Sequence, residues 1–288
     1  MRIKKSLGQN FLRDEKILRK IADFAQIDKE DMVVEIGPGE GTLTKLLLER
    51  AKKVIAIEKD KKLAEKIREK FKYQISNNKL KIISGDILEP PTGFFSIFFE
   101  EKSAKREKNL VGGGSYKLVG NIPYYITGAI FKKFLQNPPA GVQPESITFV
   151  VQKEVAKRII ASHSAKASRD KHKESILSIS IKAYGKPEYG GVIKAGSFYP
   201  KPKVDSAIIA IRDINKKKFK EIDEKKFFEI LKKGFAHKRK LLIKNLGISE
   251  KNLKKIGIYP KARAEDLKIE DWFRLAKIIN NINSTEKT

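Results

Sequence analysis

Met32-Val33-Val34-Glu35-Ile36-Gly37-Pro38-Gly39-Glu40-Gly41 is a short apolar run that stops at a glycine loop. The run reads as a buried strand, and Thr42 to Arg50 behind it as a helix. The pattern recurs downstream. Val54-Ile55-Ala56-Ile57 is a second buried strand ending at Glu58, and Lys61 to Phe71 is a helix with Leu63, Ala64, Ile67 and Phe71 on one face. Leu80-Lys81-Ile82-Ile83 is a third strand, ending at Gly85-Asp86. Tyr116 to Val119 is a fourth, ending at Gly120-Asn121-Ile122-Pro123-Tyr124. Ile147 to Val151 is a fifth, followed by a helix through Ile160. Upstream, Asp14 to Ala25 reads as a helix that Asp14 can cap. Strands alternating with helices predict a parallel sheet covered on both faces, a doubly wound, Rossmann-like α/β fold.

The late segments break this rhythm. Ile176 to Tyr184 and Val204 to Ile211 alternate in hydrophobicity and read as antiparallel strands closing the sheet, joined without a helix. After Arg212, Lys216-Lys217-Lys218 marks a polar boundary. The remainder reads as helical, at Phe227 to Phe235, near Leu253 and at Trp272 to Ile279. The expected organisation is therefore an α/β domain over 1–212 and a small all-helical domain over 213–288, with Trp272 in the core of the second. Residues 93–115, which include Gly112-Gly113-Gly114, and 162–174 read as insertions. The first is expected to be a solvated loop. The second is basic, and a loop and a polyanion-contacting arm fit it equally.

Charge points to a class of partner. Lys and Arg number 62 against 35 Asp and Glu, a net +27 over 288 residues, which suits a polyanion such as nucleic acid. A cysteine-free chain excludes disulfides and Cys-ligated metal sites and is compatible with a reducing cytoplasm. His163, His172 and His237 lack ligand spacing, so no metal is expected. No run approaches 18 apolar residues, so no membrane span is expected, and the basic N-terminus lacks the apolar core of a secretory signal.

In an open parallel sheet, ligands bind beyond the carboxyl ends of the strands. Gly37 to Gly41, Glu58, Asp86 and Asn121 to Tyr124 all fall at such ends. Gly37, Gly39 and Gly41 let the backbone approach a ligand, although G-x-G-x-G alone is equally an ordinary turn. Glu58, about 20 residues beyond the first glycine, suits ribose hydroxyls, which leaves a nicotinamide or an adenosylmethionine nucleoside. Asp86 can accept a bond from an adenine amino group, or can simply cap a turn.

Asn121-Ile122-Pro123-Tyr124 narrows the chemistry. An adenine N6 lone pair is delocalised into the ring and is a poor nucleophile. Two acceptors on its two hydrogens favour a more pyramidal, more reactive nitrogen. The Asn121 side-chain oxygen and a carbonyl preceding or within the turn can supply them, and Pro123 stiffens the turn. Tyr124 offers a face on which a base can stack, worth about 1–3 kcal/mol, against a cost of about a few kcal/mol to lift a base from its stack. A methyl on a sulfonium needs alignment more than a general base.

Several further stretches carry a resemblance: Leu7-Gly8-Gln9-Asn10-Phe11-Leu12, Glu35 to Gly39, Ala56-Ile57-Glu58, Gly85-Asp86, Val119 to Tyr124, Val151 to Ala156, and Phe198-Tyr199-Pro200-Lys201-Pro202-Lys203-Val204-Asp205-Ser206-Ala207. Together, in this order and over most of the chain, the set resembles the ribosomal RNA adenine N6,N6-dimethyltransferase family. The resemblance implies S-adenosyl-L-methionine as cofactor and two adjacent adenines of a small-subunit ribosomal RNA hairpin as substrate. It implies a cytoplasmic monomer that meets the small ribosomal subunit precursor during ribosome biogenesis, with neither metal nor membrane. It places Asn10 and Leu12 in the cofactor site, Gly37 and Gly39 near the methionine part, Glu58 at the ribose, and Asp86 with Ile87 at the adenine. Asn121 would lie between cofactor and target base, with Pro123 and Tyr124 beside it and Phe198 stacking on the other face. Tyr125 departs from the family's frequent Asn, and the region 162–176 lacks its usual Tyr-Gly-x-Leu-Ser run. The related large-subunit methyltransferases of the macrolide-resistance class share the Asn-Ile-Pro-Tyr turn, and relatives of this fold also serve as non-catalytic assembly or transcription factors. Lys238-Arg239-Lys240, and Lys153, Lys157 and Arg158, are basic clusters suited to phosphates.

Overall fold

A computed structural model of the chain describes residues 9–91, 116–160 and 173–285. The insertion at 93–115 and most of that at 162–174 lie outside the described residues. The chain packs as two compact units, Met1–Ala156 with Lys186–Ile214, and Lys157–Gly185 with Asn215–Thr288. The second unit thus takes in Lys157–Gly185, which a boundary at residue 213 leaves with the first.

In the first unit, β1 (Phe11–Leu12) precedes α1 (Glu15–Phe24). Asp14 caps α1, its carboxylate accepting the Lys16 and Ile17 N–H groups, so the helix begins where the sequence predicts. Then follow β2 (Met32–Ile36), α2 (Thr42–Arg50), β3 (Lys53–Glu58), α3 (Lys61–Lys70), α4 (Lys72–Ser76) and β4 (Leu80–Ser84). Beyond residue 116 come β5 (Lys117–Asn121), α5 (Thr127–Phe131), β6 (Ser146–Gln152) and α6 (Lys153–Ile160). The strands β7 (Lys186–Ile193), β8 (Phe198–Tyr199) and β9 (Ser206–Arg212) complete the unit.

Seven strands form one sheet in the order β4-β3-β2-β5-β6-β9-β7. The first five are parallel, and β9 and β7 are antiparallel to their neighbours. Val33, Val34, Val54, Ile55, Leu118 and Val119 are inaccessible to water because helices cover the parallel strands. Each such aliphatic side chain contributes about 1.5–3 kcal/mol on burial. The strand order reverses beside β2, where β3 lies on one side and β5 on the other, and a ligand crevice opens at such a reversal. β1 and β8 form a separate antiparallel pair, Phe11 opposite Tyr199 and Leu12 opposite Phe198.

One expectation is overturned. Ile176 to Tyr184 is not a strand but a helix, α7 (Ile176–Lys182), in the second unit. Ser175 and Ser178 form a capping box that starts it. Ile179 and Ile181 are buried, and so are the intervening Ser178 and Ser180. The Ile/Ser alternation imitates a two-residue period, but both residue types are enclosed, and the Ser178 hydroxyl donates to the Ser175 carbonyl. The antiparallel partner of β9 is instead β7, which begins at Lys186.

The rest of the second unit is helical: α8 (Glu224–Gly234), α9 (Leu242–Leu246), α10 (Glu250–Lys255) and α11 (Ile269–Thr285). Trp272 is fully buried and stacks on Phe235 at 5.5 Å, in the core as predicted. Lys238, Arg239 and Lys240 are exposed in the turn between α8 and α9.

Candidate active site

A cavity open to solvent lies at the carboxyl ends of β2, β3, β4 and β5. It is lined by Asn10, Leu12, Gly37, Gly39, Glu58, Asp86, Ile87, Asn121, Pro123 and Tyr124. Phe198 is not among the lining residues. It is 4% exposed and packs in the hydrophobic core beside Leu12, so its ring faces protein on all sides in this conformation.

The glycine loop is built for close approach. Gly37, Gly39 and Gly41 have φ of +66°, +59° and +73°, a region other residues enter at a cost. A Cβ on Gly39 would come to 3.0 Å from the Phe11 ring, which lies against the loop.

Two carboxylates face the cavity with different electrostatics. Glu58 is buried; its Oε2 accepts the Gly39 N–H at 3.1 Å and its Oε1 the Asp60 N–H at 2.8 Å. Burial pushes its pKa above the ordinary range, against the pull of those backbone donors. Asp86 accepts the Lys59 ammonium at 2.6 Å and the Leu88 N–H at 2.9 Å. Partial burial acts to raise its pKa, but the Lys59 and Leu88 donors outweigh burial and hold the carboxyl below its usual value. Each of these oxygens retains a second lone pair for a ligand.

A third carboxylate was not predicted as a site residue. Glu35, on β2, is 1% exposed, lines the cavity, and leaves Oε2 buried without a partner. Burial pushes its pKa up to about 8, and the nearby Glu58 carboxylate adds to the shift. The signals in the sequence are a charged residue inside an otherwise apolar strand and its place at the head of the Glu35 to Gly39 stretch.

At the other wall, the Asn121 Nδ2 donates to the Asn10 carbonyl at 2.8 Å. That bond fixes the amide and leaves Oδ1 to accept. The Tyr124 hydroxyl shares a 2.6 Å hydrogen bond with the Ser206 hydroxyl, tying the turn to β9. Within the turn, the Pro123 carbonyl accepts the Ile126 N–H at 3.2 Å and the Tyr124 carbonyl the Thr127 hydroxyl at 3.0 Å. Tyr125 also lines the cavity and is 63% exposed. Among the described residues, no group of His, Asp and Glu is placed to hold a metal ion, and no helix is long and apolar enough to cross a membrane.

A sheet that reverses beside β2, with a glycine loop after that strand and carboxylates after the next two, defines a Rossmann-like methyltransferase. Residues 1–281 match the family described as ribosomal RNA adenine dimethylase. The chain belongs to that family. It is 38% identical over 283 residues to ribosomal RNA small subunit methyltransferase A of Dehalococcoides mccartyi, covering 96% of this chain and 88% of the relative. It is 37% identical over 282 residues to the protein of the same name from Clostridium acetobutylicum, covering 96% and 93%. Among solved structures it is similar to the 23S rRNA methyltransferase ErmE, with a TM-score of 0.67, 26% identity, and coverage of 94% of this chain and 100% of the other.

Proposed function

We propose that this chain uses S-adenosyl-L-methionine to dimethylate N6 of two adjacent adenines in a small-subunit ribosomal RNA hairpin during ribosome assembly. The observation that carries the reading is the convergence of the glycine loop, the Glu35, Glu58 and Asp86 carboxylates and the Asn121–Tyr124 turn on one cavity. The residues suit a cationic nucleoside. The orphaned Glu35 Oε2 complements a positive charge, Glu58 suits ribose hydroxyls, and Asp86 with Ile87 suits an adenine edge. The bound cofactor supplies a methyl group on a sulfonium, an excellent leaving group.

The chain's own residues supply alignment. Asn121 Oδ1 accepts one hydrogen of the target amine. A carbonyl preceding or within the turn is the second acceptor; those of Pro123 and Tyr124 already hold the turn together through the Ile126 N–H and the Thr127 hydroxyl, and that of Ile122 precedes the proline. Tyr124, held through its hydroxyl by Ser206, presents a ring to the base. In the first transfer two accepted hydrogens draw the nitrogen lone pair out of conjugation, in the second the one remaining hydrogen is accepted, and the proton lost after each transfer passes to water. Phe198 meets the base only if it leaves the core. The fixed alignment substitutes for a general base.

The small-subunit substrate is supported by the relatives at 38% and 37% identity, which are named small subunit methyltransferases. The decisive experiment is transfer of labelled methyl to isolated, unmethylated small and large ribosomal subunits, with the product nucleoside identified after digestion. Dimethyladenosine from the small subunit alone is expected. Label in large-subunit RNA alone, or cofactor binding with no label in either subunit, overturns the proposal.

A further inference from the structure

Tyr199 is 58% exposed and lies just outside the residues that line the same cavity. It pairs across the β1–β8 ladder with Phe11, which lines the cavity. The Arg13 guanidinium lies over the Tyr199 ring, 5.3 Å from its centroid. Arg13 is held in turn by a two-pronged bond to Glu40 of the glycine loop, at 2.9 and 2.7 Å. The ring is thus braced on one face by a fixed cation, and its remaining surface is open to water.

We infer that Tyr199 is a stacking platform for an unpaired base next to the target adenine in the same RNA strand. The inference rests on the adenine reading of the cavity and names a second contact outside it. Three features select a nucleotide as occupant. A ring braced by a guanidinium on one face is preorganised to stack a base on the other. Lys201 and Lys203, exposed in the loop that follows Tyr199, place cations where the phosphates beside a stacked base would run. And the ladder joins the platform to the arm carrying Asn10, whose carbonyl holds Asn121, so the two contacts share one rigid support. Two adjacent adenines cannot occupy one turn together, and a rim platform holds the neighbour while the first is modified.

The test uses the full chain and a small-subunit hairpin RNA carrying 2-aminopurine beside the target adenine. Stacking on a tyrosine quenches its fluorescence, whether or not methyl transfer occurs. The wild-type protein should quench the probe. Tyr199→Leu should abolish the quench and raise the Kd of the hairpin and the KM of the small subunit about tenfold or more. Tyr199→Trp should retain both. Cofactor affinity, measured in parallel, reports that the glycine loop is intact in each variant. No quench by the wild-type protein, unchanged Kd and KM in Tyr199→Leu, or a Trp variant as weak as the Leu variant overturns the inference. Failure of the methylation reading looks different: the probe is quenched but no methyl is transferred.

Discussion

The Asn121 side chain is bonded to the Asn10 carbonyl at 2.8 Å, between residues 111 apart in sequence. The arm before α1 and the turn after β5 are therefore one support, and the amide oxygen of Asn121 is aimed by a backbone group. Asn121→Ala removes an acceptor and the bond that orients it. The variant is expected to bind cofactor as the parent does and to lose methyl transfer about a hundredfold or more, the scale on which misalignment costs rate. Cofactor titration beside single-turnover labelling checks the split.

Glu35 makes the protein sensitive to pH. Its carboxyl ionises near 8 when folded and at the ordinary 4.5 when exposed. Below the lower value both states hold the proton. Between the two values the unfolded chain sheds a proton that the folded chain keeps, so stability falls as pH rises through that window. Glu35→Gln should flatten the slope, read from urea denaturation at the two ends. A cationic ligand beside Glu35 lowers its pKa. Cofactor binding near neutral pH should therefore release a proton, seen as a buffer-dependent enthalpy in calorimetry, and Glu35→Gln should abolish the release.

Asp86 is already ionised by the Lys59 ammonium and the Leu88 N–H, which outweigh its partial burial. It therefore adds no pH dependence of its own across the neutral range. Asp86→Asn keeps the shape but replaces one acceptor oxygen by a donor, which should weaken cofactor binding about tenfold, the value of one hydrogen bond to a charged group. Equal cofactor affinity in parent and variant would remove Asp86 from the adenine contact.

Gly234 lies under Trp272, and a Cβ there would come to 2.4 Å from the Trp272 Cη2. Gly234→Ala should destabilise the helical unit by about 1–3 kcal/mol through overpacking. Trp272→Ala should cost about 3–5 kcal/mol through the cavity it leaves. The single tryptophan reports the first variant's unfolding by fluorescence, and circular dichroism follows the second.

The parallel strands were legible because strands covered by helices are mostly apolar, and the first four in the chain close at or run into Gly, Glu or Asn. The same reasoning failed at Ile176–Lys182. There hydrophobicity alternates as in a strand, while the helix encloses Ser178 and Ser180 as well, and the Ser178 hydroxyl donates to the Ser175 carbonyl. Asn10 and Leu12 followed only from the family resemblance, but Gly37, Gly39, Glu58, Asp86 and Asn121 were legible for a topological reason. Once the strand order is parallel, their places at the strand ends bring them to one edge. Glu35 was not, because the direction of a side chain within a doubly covered strand has no signature in composition.

The five parallel strands with their helices, the glycine loop, the paired carboxylates and the Asn-Ile-Pro-Tyr turn follow from the chain's own residues, because each is a local pattern of polarity and backbone freedom. The tertiary structure alone decided which distant groups meet. It set Asn10 on Asn121, Arg13 between Glu40 and Tyr199, and Tyr124 on Ser206. It also put Phe198 in the core and left Tyr199 at the surface, although both are aromatic neighbours in one motif. In an extended strand successive side chains point to opposite sides, and which side is water depends on what the rest of the fold has packed against it.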